Sequence, residues 1–159
     1  MTAGSIQHPM GEKKCQIILI NPGYFSHYDV PFPPFQYVFL TPRLAREGYC
    51  VRVVDLQTEP PEVLGELLDS ADLIWIGFSI MTGPPIAACL NIAKTVRNRR
   101  PEIPLVWGGT HPTLLPEQTL ENPYVDIVVV GEGERTVVEL THALKHGRPL
   151  EEVKGIGFK

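Results

Sequence analysis

Apolar residues along the chain fall into two alternating kinds of run, short blocks rich in β-branched residues and longer stretches with helical spacing. The blocks CQIILI (15–20), CVRVVDL (50–56), DLIWIGFS (72–79), LVW (105–107) and VDIVVV (125–130) predict five strands. The first is apolar at nearly every position, as a strand covered on both faces must be. The second alternates more. Residues 36–47 (QYVFLTPRLARE) carry apolar positions at helical spacing and end at Gly48, a helix stop. Pro42 lies inside that stretch, and either kinks the helix or sits in its first turn after Thr41 as cap. Pro61 to Asp69 predicts a short helix, and Pro84 or Pro85 opens one that runs to Arg100. A helical turn follows Pro116, and Glu134 to His146 predicts the last helix, stopped by Gly147. The tail VKGIGF (153–158) fits an edge strand or the start of a linker.

Strand and helix alternating five times predicts an α/β domain, a doubly wound parallel sheet with helices on both faces and right-handed crossovers. For five strands the expected order is the flavodoxin-like (Rossmann-like) 2-1-3-4-5. Its switch point lies between the first and third strands, and ligands bind there beyond the carboxyl ends.

The bulk numbers leave that picture standing and remove others. A chain of 159 residues makes one domain. The net charge is −4, and there is no Lys/Arg run beyond Arg97, Arg99 and Arg100, which argues against nucleic acid as the main partner. No apolar run approaches the roughly 20 residues of a membrane span. Residues 1–14 (MTAGSIQHPMGEKK) lack an apolar stretch, which excludes a signal peptide and predicts a disordered leader before a domain at 15–150. Cys15, Cys50 and Cys89 form no CxxC pair and read as small buried hydrophobes in a reducing cytoplasm, with no protein-built metal site.

The candidate chemistry sits where the strands end. After the first comes NPGYFSHYDVPFPPF (21–35), too long for a plain turn, stiff with prolines and rich in aromatics. Pro22, Gly23 and Tyr24 begin it, and it reads as a ligand-lining wall or a loop packed on itself. After the third come Ser79, Met81 and Thr82. Capping of the next helix explains Thr82 but not Ser79, which is too far upstream. After the fourth comes GGTHP, with Gly108, Gly109, Thr110 and His111, and after the fifth GEGER, with Gly131, Glu132 and Gly133. Two acids at a helix start suit the helix dipole and repel a phosphate. There is no GxxxxGK motif, and the first turn holds NPGYFS rather than GxGxxG. These ends together describe a slot for a large, flat, mostly uncharged group, with an arm running down past Gly108 and Gly109.

Taken together, NPGY, FSIMT, GGTHPTLLPE and VDIVVVGEGERTVVEL resemble the N-terminal cobalamin-binding domain of B12-dependent radical SAM proteins, over residues 15–158. The resemblance implies a corrinoid at the carboxyl edge, its nucleotide tail displaced from cobalt (base-off) and buried beside Ser79, Gly108 and Gly109. In that case a side chain at 108 or 109 would fill the tail's channel. The D-x-H-x-x-G motif that supplies a cobalt-ligating histidine in methionine synthase-like domains is absent. His27 is the loop's only histidine and sits in a different context, so no protein ligand to cobalt is expected. His111 is expected to hydrogen-bond the ligand or cap the following turn.

Radical SAM chemistry also needs a CxxxCxxC run for a 4Fe–4S cluster, and this chain has none. It is therefore expected to bind but not catalyse, with residues 151–159 leading toward a radical SAM domain of the parent protein that holds S-adenosylmethionine and the cluster. The rival readings are a flavin-binding domain, disfavoured by a single serine (Ser26) in the first loop, and a domain that keeps the fold only as a docking module. A receiver-type signalling domain is excluded by Asn21, Ser79 and Gly131 at the positions of its acids and lysine.

Overall fold

The computed structural model describes residues 15–22 and 33–159. The expected leader, and Gly23, Tyr24 and His27 of the first loop, lie outside them.

The strands are β1 (Ile17–Asn21), β2 (Val51–Asp55), β3 (Trp75–Ser79), β4 (Leu105–Gly108), β5 (Ile127–Val129) and β6 (Ile156–Phe158), in one sheet of order β2-β1-β3-β4-β5-β6. The first five are parallel in the flavodoxin-like order. The sheet nonetheless has six strands, not five, and β6 runs antiparallel to β5, with Ile127 opposite Phe158 and Val129 opposite Ile156. The left-handed Gly147 (φ 60°) ends the last helix, and the chain then returns through Gly155 (φ 78°) to the open side of β5. Pairing there satisfies backbone groups that an open edge leaves bare. Three residues are too few for periodicity to announce a strand or its direction.

The helices are α1 (Leu40–Arg46), α2 (Glu62–Leu67), α3 (Pro85–Arg99), α4 (Thr110–Leu114), α5 (Pro116–Leu120) and α6 (Gly133–His146). The helix expected over 36–47 is in two pieces, a 3₁₀ turn at Phe35–Tyr37 and then α1. Pro42 occupies the first turn of α1, where no N–H is needed, but Thr41 is not its cap. The flanking residue is Phe39, with no side-chain capping bond, and Thr41 Oγ1 is buried without a partner. The segment after β4 is helical from Thr110, earlier than the turn expected after Pro116.

Alternation along the strands builds two cores. Ile18, Ile20, Ile76, Phe78, Leu105, Trp107 and Val128 face α2 and α3, packing on Leu64, Leu68, Cys89, Ala93 and Val96. Ile17, Leu19, Trp75, Val106, Ile127 and Val129 face α1 and α6, packing on Leu44, Val137, Leu140 and Ala143. Asp126, just before β5, accepts the Leu105 N–H at 2.7 Å and an Arg97 guanidinium N–H at 2.5 Å, so the acid preceding IVVV holds β4 and α3 in place. Among the described residues no helix is long and apolar enough to cross a membrane.

Candidate functional site

On the face toward α1 and α6, side chains run out as the strands reach their carboxyl ends. Trp75 is followed two residues on by Gly77 and then Ser79, and Val106 by Gly108. The space they leave is a cavity of about 220 Å³ between the sheet and the 3₁₀ turn, α1 and α6. Its floor is Leu19, Val106 and Trp75, whose indole N–H donates to Thr141 Oγ1 on α6 at 2.9 Å. Gly77 is required by that floor, because a Cβ there would stand 2.6 Å from the Trp75 ring and 3.0 Å from Leu19. Gln36, Tyr37, Phe39 and Leu40 lie over it, and its lips are Ser79, Gly108 and Gly109 on one side and Gly131, Glu132, Gly133 and Glu134 on the other.

The two glycines of GGTH have different reasons to be glycine. Gly109 has φ 95°, and a Cβ on it would meet the Ile80 backbone N and O at 2.8 and 2.9 Å. The close approach belongs to the protein itself. Ile80 N–H donates to the Gly108 carbonyl at 2.8 Å, and His111 N–H donates back to the Ile80 carbonyl at 3.0 Å. A Cβ on Gly108 would find only ordinary contact, 3.7 Å from Val129 Cβ, at the cavity lip. Both glycines border the cavity, but only Gly109 is also fixed by a backbone turn.

The loops at this edge are tied together. Thr82 Oγ1 and His111 Nδ1 lie 3.2 Å apart, joining the β3 loop to α4, and Gly131 N–H donates to Thr113 Oγ1 at 3.0 Å, joining the β5 loop to it. Asn21 Nδ2 donates to Asp55 Oδ1 at 2.9 Å across β1 and β2. Of the residues singled out in the sequence, Ser79, Gly108, Gly109, Gly131, Glu132 and Gly133 meet around the cavity. Thr82, Thr110 and His111 lie beyond its lip at the same edge, and Met81 is exposed there. Pro22 is buried at the end of β1. The His111 imidazole meets Thr82.

Tyr37 escaped sequence reasoning, because it looks like one more apolar position of a helix. It is 3% exposed, its O–H donates to the Ile20 carbonyl at 2.6 Å, and its oxygen accepts the Ser79 N–H at 3.0 Å. Burial pushes the phenol far above its ordinary 10, against the pull of hydrogen bonds from the Ser79 N–H and the Gln36 side chain. Phe39, which borders the cavity, and Phe35, Val38, Met81 and Leu114 are all more than half exposed, Phe39 and Leu114 at 67%. Exposed hydrophobes scattered singly are ordinary, but several on the segments that follow β1, β3 and β4 are more than chance leaves on a small surface.

Five parallel strands in the order 2-1-3-4-5, extended by the antiparallel β6 and carrying an apolar, glycine-lipped cavity at their carboxyl edge, define a flavodoxin-like domain. The family model for the B12 binding domain matches residues 28–141, and the chain belongs to that family. It is 32% identical over 130 residues to an uncharacterized methyltransferase of Pyrococcus horikoshii, covering 80% of this chain and 28% of that protein. It is 30% identical over 132 residues to the anaerobic magnesium-protoporphyrin IX monomethyl ester cyclase of a Synechocystis species, covering 80% of this chain and 26% of that one. Among solved structures it matches the radical S-adenosylmethionine methyltransferase TsrM of Kitasatospora setae, with cobalamin and a 4Fe–4S cluster bound, at TM-score 0.77 and 24% identity over 89% of this chain and 26% of that one. The cobalamin-dependent S-adenosylmethionine radical enzyme OxsB, with aqua-cobalamin and S-adenosylmethionine bound, matches at TM-score 0.73 and 25% identity over 92% of this chain and 21% of that one. The chain spans about a quarter of the curated relatives' length.

Proposed function

We propose that this domain holds a cobalamin against the carboxyl edge of its sheet with the nucleotide tail in the cavity, and presents it to a radical SAM domain of the same parent chain. The observation that carries the reading is the cavity: apolar, open at the switch-point edge, and lipped by Ser79 and Gly108 where neighbouring strand positions bear large side chains. Its 220 Å³ falls below the roughly 300–1,000 Å³ of pockets that enclose a drug-sized ligand. It suits one arm of a ligand, while a macrocycle rests outside on the exposed apolar side chains. Family membership supports a corrinoid as that ligand.

In this reading Trp75, Leu19, Val106 and Val129 exclude water from the tail. Gly108 leaves the entrance clear, and Ser79 Oγ offers a hydrogen bond at the lip. Phe35, Phe39 and Met81 meet the edge of the macrocycle. Bound here without a protein ligand to cobalt, the corrinoid would supply a metal-borne methyl group or cobalt redox chemistry to the parent's reaction. Methyl transfer is favoured by relatives that are methyltransferases, with the S-adenosylmethionine and the iron–sulfur cluster held by the radical SAM domain.

The test is to titrate the purified chain with hydroxocobalamin, desalt it, and record the absorption spectrum. Retained colour with the tail-displaced spectrum is expected, and Gly108→Val should abolish it without unfolding the chain. Colour that washes through completely would instead favour a module that keeps the fold only for docking.

A further inference from the structure

β1 and β3 pair side by side as far as Ile20 and Phe78, and each strand runs one residue further. Asn21 pairs outward with Asp55 of β2, and Ser79 pairs outward with Gly108 of β4. The Asn21–Ser79 pair that would continue the β1–β3 ladder is missing. In its place stands the Tyr37 phenol, bonded to the Ile20 carbonyl on one strand and the Ser79 N–H on the other. The phenol's proton is committed to Ile20, while its ring lies over the cavity and its oxygen holds the residue that forms the lip.

We infer that Tyr37 is a positioning residue: it wedges β1 and β3 apart at their carboxyl ends, keeps the Ser79 lip open, and thereby makes the domain favour corrinoids with a nucleotide tail over those without one. This rests on the reading that the cavity takes the tail. The physical reason is local. Without the hydroxyl, the Ile20 carbonyl and the Ser79 N–H become buried groups with no partner. A parallel ladder satisfies such groups by pairing them directly, which draws Ser79 toward β1 and narrows the entrance. A corrinoid without a tail never uses that entrance.

The test compares cobalamin with cobinamide, the same macrocycle lacking the nucleotide tail, on the wild-type chain and on Tyr37→Phe, with folding checked by circular dichroism. Tyr37→Phe should weaken cobalamin about tenfold, the size of one lost buried hydrogen bond, and leave cobinamide within about twofold. 4-Aminophenylalanine at position 37, which keeps a polar donor on the ring, should restore the preference. Equal weakening of both corrinoids, or of neither, overturns the proposal. A readout without ligand decides it independently: NMR of Tyr37→Phe should show a cross-strand contact between the Ser79 amide proton and β1 that the wild-type chain lacks, and an unchanged pattern rejects the wedge. If the wild-type chain retains no cobalamin, the tail reading fails, and the NMR result alone rules on whether Tyr37 spaces the strands.

Discussion

On the side of the sheet toward α3, Ile20, Phe78, Ile80 and Trp107 keep large side chains up to the carboxyl edge, with the Phe78 and Trp107 rings 5.6 Å apart. On the side toward α1 and α6 the same strands end in Gly77, Ser79 and Gly108, and the cavity lies there. One backbone thus gives a packed face and an open one, because alternate residues of a strand point to opposite sides. A site can be cut into a sheet by shortening every second residue at the ends of adjacent strands. The packed face keeps those strands in register while the other leaves a cavity at their carboxyl ends.

The largest expected effect tests this contrast directly. Leu105 and Leu19 are both essentially buried, but Leu105 lies in the packed core and Leu19 borders the cavity. Truncating a buried leucine to alanine costs about 2–5 kcal/mol, according to how much new void it leaves. Leu105→Ala should fall near the top of that range and Leu19→Ala near the bottom, measured by urea unfolding. Equal losses would break the comparison.

The next effect separates the two glycines. Gly109→Ala puts a side chain at a positive φ and against the Ile80 backbone, and should cost about 1–3 kcal/mol. Gly108→Ala should stay within about 0.5 kcal/mol of wild type, because its Cβ has room. If Gly108→Ala destabilises as much as Gly109→Ala, the lip is part of the turn and not an opening.

Cys89 sharpens the comparison from the packed side. Burial pushes its thiol from the ordinary 9.0 up to about 12. The folded state therefore holds a proton that the unfolded chain has released. This contribution to stability is full below pH 9 and is lost as the pH rises toward 12. Native Cys89 should resist iodoacetamide at pH 8.5 and react on unfolding, followed by mass spectrometry. Rapid native labelling would mean that the packed face opens.

The smallest effect lies outside both cores. Asp69, in the turn after α2, and Arg99 of α3 pair at 2.6 Å on the exposed surface. Asp69→Asn should move stability by less than about 0.5 kcal/mol and leave corrinoid binding unchanged.

Much of this was legible along the chain. Blocks such as IILI and WIGFS could only be strands covered on both faces, and their alternation with proline-opened, glycine-closed helices left little choice of topology. Glycines and a serine clustered at strand ends pointed to the edge where the cavity lies. Three parts were not legible. β6 is too short to show a period, and its pairing is dictated by the bare edge of β5. The break between Tyr37 and Leu40 looked like continuous helix, since apolar spacing cannot distinguish a 3₁₀ turn from the helix it precedes. Gly108 and Gly109 are neighbours of one residue type, and only the Ile80 backbone beside Gly109 separates their roles.

By itself, then, the sequence determined the layered α/β fold, the order of the parallel strands and the edge at which the cavity lies, because hydrophobic period, helix punctuation and the handedness of crossovers are local or general rules. Only the tertiary structure decided which face of the sheet opens and which glycine is free. It alone brought a tyrosine from the far side of a loop between two strands. Those outcomes depend on groups distant along the chain meeting at distances of about 3 Å, and no pattern of neighbouring residues encodes such a meeting.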